Sequence, residues 1–453
     1  MRPRLLALTL GSALAIAACG SGDTATTDAD TASSSTEVAA ATTEAPVETV
    51  APTTEAASET TEAPLPELEV IGQGPYEVGV QTITINEDTE RPLVVDVWFP
   101  IDDAAGAPAH EYTLIPGLVD VSDNAVDAEP AAMSADGPFP LVIYSHGSGG
   151  LRYIASDYTE AIASHGYIVA SADHTGNTTL DGLLCTPTSG PVTALNRLND
   201  IQAMINGMLD PTSTETAGFV ANVDPESIAV TGHSVGGFTT YAAVTGYENE
   251  LGAVAADGRI DAIIPIAPAI GGDRPPIDES TTTTTNPDRV DRCADVQDPA
   301  TAELTPEEIE AARNRKSITD EQLASITVPQ MIIVGADDVS TPVEPNVTRA
   351  WEFASSDPFY RVELVAGQHQ SFTNACRYLE LLPTWSEDLQ DLTGPLLESW
   401  AAQGCGDDTM DIERAQDLTN TFAISFLESI FRDTEMIDPE TTQIPDDVIY
   451  MIK

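Results

Sequence analysis

Ser234 stands in Gly232-His233-Ser234-Val235-Gly236, after the apolar run Ile228-Ala229-Val230 and before a helix-compatible stretch from Gly237 to Val244. A serine hydroxyl is a useful nucleophile once a base takes its proton, an acid orients that base, and donors receive the developing oxyanion. In the order strand, tight turn, helix, Gly-x-Ser-x-Gly lifts the serine to a strand end, and flanking glycines let strand and helix approach closely. The pentapeptide alone is a weak signal, so its partners must be sought elsewhere in the chain.

Two adjacent carboxylates, Asp337 and Asp338, follow the strand-like run Met331 to Val334, and either could orient a base. Of six histidines, His369 lies directly after the last expected strand, Arg361 to Val365, where a general base would reach the serine. His146 belongs to the glycine-rich stretch His146-Gly147-Ser148-Gly149-Gly150, and His233 is the variable residue of the serine turn. His174 fits either a pocket rim or a structural hydrogen bond, while His110 and His165 have no pattern around them. The oxyanion donors are expected from the main-chain N–H groups of Val235 and Ser148, since glycines around Ser148 allow close backbone approach.

The positioning elements alternate. An antiparallel opening pair is expected over Val78 to Ile85 and Leu93 to Phe99, then a long loop from Gly106 to Gly137. Leu141 to Tyr144, Tyr167 to Ala172, the strand into Ser234, Ala262 to Ile266, Met331 to Val334 and Arg361 to Val365 are separated by helical stretches. The last of these helices covers about Ile412 to Phe431. This predicts an α/β architecture: a mostly parallel sheet with helices on both faces and chemistry-bearing loops on one edge. Two insertions, about 271–326 and 374–410, leave that alternation over the same edge and could form a lid or plain surface ornament.

Residues 1–18 read as a lipoprotein-type export signal, with Arg2 and Arg4 before a short apolar segment. Ile16-Ala17-Ala18-Cys19 then resembles a lipobox in which Cys19 is lipidated. Residues 19–66, rich in Thr, Ala, Glu and Pro, are too apolar-poor to fold and read as a tether, leaving 67–453 as the catalytic domain. Expected is a monomer on the outer face of a bacterial cytoplasmic membrane, held only by its lipid anchor, or else a secreted protein. The remaining cysteines are even in number, as in exported disulfide proteins; Cys376 with Cys405 and Cys185 with Cys293 are preferred. No paired spacing suggests a metal site. A formal net charge of −55 excludes nucleic acid and reads as a solvated acidic surface or salt adaptation.

The stretches Ser145-His146-Gly147-Ser148-Gly149-Gly150-Leu151-Arg152, Ala163-Ser164-His165-Gly166-Tyr167, Ala172-Asp173-His174 and Arg197-Leu198-Asn199-Asp200 carry a resemblance. With the serine turn and the Asp338 and His369 loops, they resemble the platelet-activating-factor acetylhydrolase and predicted dienelactone hydrolase group of α/β-hydrolases, over roughly Leu68 to Phe431. The resemblance implies the α/β-hydrolase fold and a serine esterase forming an acyl-enzyme without metal or organic cofactor. Asp338 is then preferred over Asp337, because Gly-x-x-Asp-x-x-x-Pro is the common spacing there. Ser234 becomes nucleophile, His369 base, Ser148 and Val235 backbone donors, and Arg197 and Asp200 structural groups. Dienelactone hydrolases proper use cysteine, so dienelactone itself is not implied. The expected substrate is a small-molecule or lipid ester. Acyl transfer, lipase or polyester hydrolysis on the same residues, or a non-catalytic surface binding module, are the alternatives.

Overall fold

The computed structural model describes residues 64–115, 118–272 and 316–453. Cys19, the export segment, nearly all of the tether, Cys293 and most of the 271–326 insertion lie outside the described residues.

In chain order the strands are β1 (Glu77–Ile85), β2 (Leu93–Ile101), β3 (Ala109–Ile115), β4 (Leu118–Asp127), β5 (Phe139–Ser145), β6 (Ile168–Ala172), β7 (Val223–His233), β8 (Tyr247–Asn249), β9 (Gly252–Val254), β10 (Ala262–Ile266), β11 (Gln330–Gly335), β12 (Phe359–Leu364) and β13 (Val448–Ile452). The helices are α1 (Ser156–Ser164), α2 (Thr179–Leu183), α3 (Gly190–Leu209), α4 (Ala217–Val220), α5 (Val235–Thr245), α6 (Asp320–Ala324), α7 (Val343–Phe353), α8 (Ala375–Leu381), α9 (Glu387–Ala401) and α10 (Ile412–Phe431).

One sheet runs in the order β13-β12-β11-β10-β7-β5-β6-β2-β1-β4-β3. From β12 across to β6 every neighbouring pair is parallel, so these strands end on one common edge. β5, β6, β10 and β11 are buried at every position, which is why they read as continuous apolar runs: helices cover both faces of the sheet. Antiparallel pairs occur where β2 joins β6 and β1, where β3 joins β4, and where β13 joins β12.

The loop expected from Gly106 to Gly137 is instead a hairpin, β3 with β4. His110 and Tyr112 point inward between exposed Ala109, Glu111 and Thr113, an alternation of period two. Its inward residues are polar-tipped, one paired across the hairpin and the other with a distant helix. Tyr112 donates to Glu160 at 2.6 Å, and His110 Nδ1 lies 2.7 Å from Asp127. Local apolar patterning therefore gave no warning of it. The closing strand β13 also went unanticipated.

Within the 374–410 insertion the chain is helical, through α8 and α9, and a disulfide joins Cys376 to Cys405 as expected. Of the other insertion, residues 271–272 and 316–326 are described, and Ile318, Leu323 and Ile326 are buried in the core.

Candidate active site

Ser234 joins β7 to α5 with φ 59° and ψ −115°. Such backbone is strained for a residue with a Cβ, by about 1–3 kcal/mol. Three main-chain bonds hold it: Ser234 N–H to Ile266 O at 2.9 Å, Phe238 N–H to Ser234 O at 3.1 Å and Ala269 N–H to Ser234 O at 3.0 Å. The flanking glycines are a steric necessity. A Cβ on Gly232 would lie 2.6 Å from the Ser145 carbonyl oxygen, and one on Gly236 only 1.8 Å from it.

His369 opens a 3-10 turn after β12. Its Nε2 lies 2.9 Å from Ser234 Oγ and its Nδ1 2.7 Å from Asp338 Oδ2. Burial pushes the Asp338 carboxyl up, but the facing His369 and the Thr341 N–H and hydroxyl outweigh it and hold Asp338 below its ordinary value. An ionised carboxylate only accepts, so Nδ1 carries the imidazole proton and Nε2 offers its lone pair to the serine hydroxyl. Oδ1 of Asp338 accepts from Ser340 N–H at 2.7 Å and Thr341 N–H at 2.8 Å, and the Thr341 hydroxyl reaches Oδ2 at 2.8 Å. Neighbouring Asp337 is exposed; its main-chain N–H donates to Gly367 O at 3.0 Å, tying the Asp338 loop to the His369 loop.

Val235 is the first residue of α5, immediately after the serine. Ser148 lies in the loop after β5, and a Cβ on the adjacent Gly147 would stand 3.4 Å from Ser234 Cβ. The two expected donor segments thus flank the serine. His174 is fully buried, bonding Asp200 through Nδ1 at 2.9 Å and Ser145 Oγ through Nε2 at 2.8 Å, so it does not line a rim. Arg197 and Asp200 are buried beneath the Ser148 loop.

Three contacts escaped the sequence reading. His233 Nε2 meets the His369 carbonyl at 2.7 Å, Thr341 caps the acid, and Gln403 from the 374–410 insertion accepts Gln370 N–H at 2.8 Å and the Ser340 hydroxyl. Of these only Thr341 left a local trace: Asp followed at two and three residues by Ser and Thr is an Asx-turn pattern.

Residues 113–193 match the family model described as platelet-activating factor acetylhydrolase, isoform II. That match spans the end of β3 to the start of α3 and includes the Ser148 loop, but not Ser234, Asp338 or His369. Among solved structures, a ferulic acid esterase from Streptomyces cinnamoneus is similar, with a TM-score of 0.54 and 18% identity over 84% of this chain and 98% of that chain. No curated protein matches the chain. The fold is that of the α/β-hydrolases, as the sequence motifs implied, and residues 113–193 are similar to the acetylhydrolase family.

Proposed function

We propose that this protein is an extracytoplasmic serine esterase in which Ser234, His369 and Asp338 work as a triad through an acyl-enzyme. The observation that carries the reading is the unbroken string Ser234 Oγ, His369 Nε2, His369 Nδ1, Asp338 Oδ2, with spacings of 2.9 and 2.7 Å on the edge where the parallel strands end. His369 takes the Ser234 proton as Oγ attacks the ester carbonyl, and the oxyanion forms against the N–H groups of Ser148 and Val235. His369 then protonates the departing alkoxide, the acyl group stays on Ser234, and water releases the acid by the same route in reverse. Asp338 holds the imidazole in the productive tautomer and stabilises the imidazolium.

Support for export comes from the amino-terminal sequence and from the Cys376–Cys405 disulfide, a bond that persists in oxidising compartments. Cys19 is the proposed lipid anchor, and a Cys19→Ala protein that stays membrane-bound would remove it. The substrate is a small-molecule or lipid ester, taken by a monomer. Hydrolysis of p-nitrophenyl acetate, and labelling by a fluorophosphonate, should both vanish in Ser234→Ala; either persisting in that variant contradicts the triad.

A further inference from the structure

Arg197 is a buried cation that the triad does not use. Its guanidinium is wholly inside the protein, and all of its donors are committed. Nε and Nη2 donate to Asn177 Oδ1 at 3.0 and 2.7 Å, Nη1 to Ser145 Oγ at 3.2 Å and His146 O at 2.6 Å, and Nη2 to Gly147 O at 2.9 Å. Among the described residues none of these bonds goes to a carboxylate. Burial pushes Arg197 down to about 9, which leaves it charged at neutral pH. A buried charge without a direct counter-ion is costly, so what it grips matters.

It grips the carbonyls of two successive peptide units in the loop beside the serine. In a trans peptide the N–H points opposite to its own C=O. Holding His146 O and Gly147 O from beneath therefore turns the N–H groups of Gly147 and Ser148 the other way, out of the protein interior. Gly147 is the residue that abuts Ser234. A cation on the carbonyl also polarises the peptide, making its N–H a stronger donor. Two further bonds close on Gly147 O, from His146 Nδ1 at 2.7 Å and Gly150 N–H at 3.2 Å.

The clamp has its own foundation. Ser145 Oγ, which accepts from Arg197, donates to His174 Nε2 at 2.8 Å. His174 Nδ1–H donates to Asp200 Oδ2 at 2.9 Å, and Asp200 is gripped twice by Arg91, at 2.8 and 2.6 Å. These donors run one way when His174 is neutral, and burial, with Arg197 nearby, pushes it down to about 4. The string repeats the residue types of the triad, yet Ser145 is fully buried and no substrate reaches it. It is a support, not a second nucleophilic site.

We infer that Arg197, seated on the Ser145–His174–Asp200 string, is a positioning residue that orients and polarises the oxyanion-binding peptides at 146–148. The inference rests on the esterase reading above and assigns Arg197 to the transition state, not to substrate binding.

The test measures kcat and KM on p-nitrophenyl acetate, with the inhibition constant of a trifluoromethyl ketone that adds Ser234 as a tetrahedral oxyanion. Wild type is compared with Arg197→Lys, which keeps the charge but cannot fork two carbonyls, and with Asn177→Ala, which frees the guanidinium at a half-buried position. Outright loss of an oxyanion donor costs about 10²- to 10³-fold in kcat, so misaimed donors should cost about 10- to 100-fold, with KM within about 3-fold. The ketone should weaken in proportion to kcat/KM. Asn177→Ala should show a smaller loss of the same kind, and decides the matter if Arg197→Lys does not fold. A folded variant with wild-type kcat, or one that loses kcat while still binding the ketone as wild type does, overturns the inference. Wild type that is itself inert, or Ser234→Ala that is as active as wild type, would instead defeat the esterase reading.

Discussion

His233 Nε2 lies 2.7 Å from the main-chain oxygen of His369, so the residue just before Ser234 holds the backbone of the proposed base. Burial, with His369 beside it, pushes His233 down to about 3, so the ring is neutral and donates its proton to that carbonyl. His233→Ala should leave the His369 carbonyl without this donor, at about 1–3 kcal/mol in stability. A base displaced by a fraction of an ångström should also lower kcat on the order of 10-fold. His233→Gln, whose amide can donate at similar reach, should retain more. Denaturant unfolding and kcat on p-nitrophenyl acetate check both, and wild-type turnover in His233→Ala would disprove the coupling.

Asp338 and Asp337 are adjacent but not equivalent. Asp338 is buried and accepts from His369, Ser340 and Thr341, whereas the Asp337 side chain is exposed. Asp338→Asn keeps the shape but favours the wrong imidazole tautomer, which in a comparable triad costs about 10⁴-fold in kcat. Asp337→Asn should stay near wild type. Because the folded Asp338 carboxyl is depressed, its stabilisation is complete above the ordinary carboxylate range and is lost as pH falls through the folded value. Asp338→Asn should therefore also flatten the acid limb of the stability profile. A larger turnover loss in Asp337→Asn would reverse the assignment.

The site's loops were legible because each one follows a strand with an apolar run, continuous in β5 and β11 and alternating in β12, and a serine flanked by glycines, a carboxylate before proline and a histidine after the last run carry their own spacing. What was not legible depends on contacts distant in sequence. His233 meets His369 across 136 residues and Tyr112 meets Glu160 across 48, and no local pattern announces either. The β3–β4 hairpin was lost for the same reason, since Glu160, which accepts from its buried Tyr112 and Ser122 hydroxyls, arrives from elsewhere in the chain. The resemblance implied structural roles for Arg197 and Asp200, but only the fold shows which backbone the guanidinium grips.

Glu160 gives a pH signature outside the active site. Burial raises its carboxyl from 4.5 to about 7, against the pull of the Tyr112 and Ser122 hydroxyls, which donate to Oε1 at 2.6 and 2.8 Å. A carboxyl that holds its proton more tightly when folded adds stability in acid and loses it as pH rises through the folded value. Melting temperature should thus gain a downward component between pH 4.5 and about 7 that is missing from Glu160→Gln. Identical slopes in the two proteins would refute it.

The Cys376–Cys405 bond closes a segment with a sequence separation of 29 residues, and Gln403 within that segment binds both the base loop and the acid loop. On loop-closure grounds the disulfide is worth about 3.6 kcal/mol. Cys376→Ser with Cys405→Ser should lower the unfolding free energy by about that much. It should also reduce kcat, because the Gln370 and Ser340 contacts loosen. A Gln403→Ala variant with the disulfide intact separates the effects: it keeps the main-chain carbonyl that accepts Gln370 N–H and removes only the side-chain contact to Ser340, so it should lose some turnover with little loss of stability. Full activity in both would show that the insertion does not brace the triad.

Gly236 and Gly182 make a steric contrast. A Cβ on Gly236 would sit 1.8 Å from the Ser145 carbonyl oxygen and 3.0 Å from that of His146, both main-chain atoms that cannot rotate away. Relief would require α5 to back off from β5, moving Ser234 and the Ser148 loop apart. Gly236→Ala should therefore cost more than the ~1–3 kcal/mol of ordinary overpacking and abolish activity even where some protein folds. Among the described residues a Cβ on Gly182, in α2, meets nothing within 4 Å, and alanine favours helix by about 1 kcal/mol over glycine. Gly182→Ala should then match or slightly exceed wild type in melting temperature at unchanged kcat. Thermal unfolding and turnover of the two variants test whether close packing of α5 on β5 holds the serine turn; a tolerated Gly236→Ala would show that it does not.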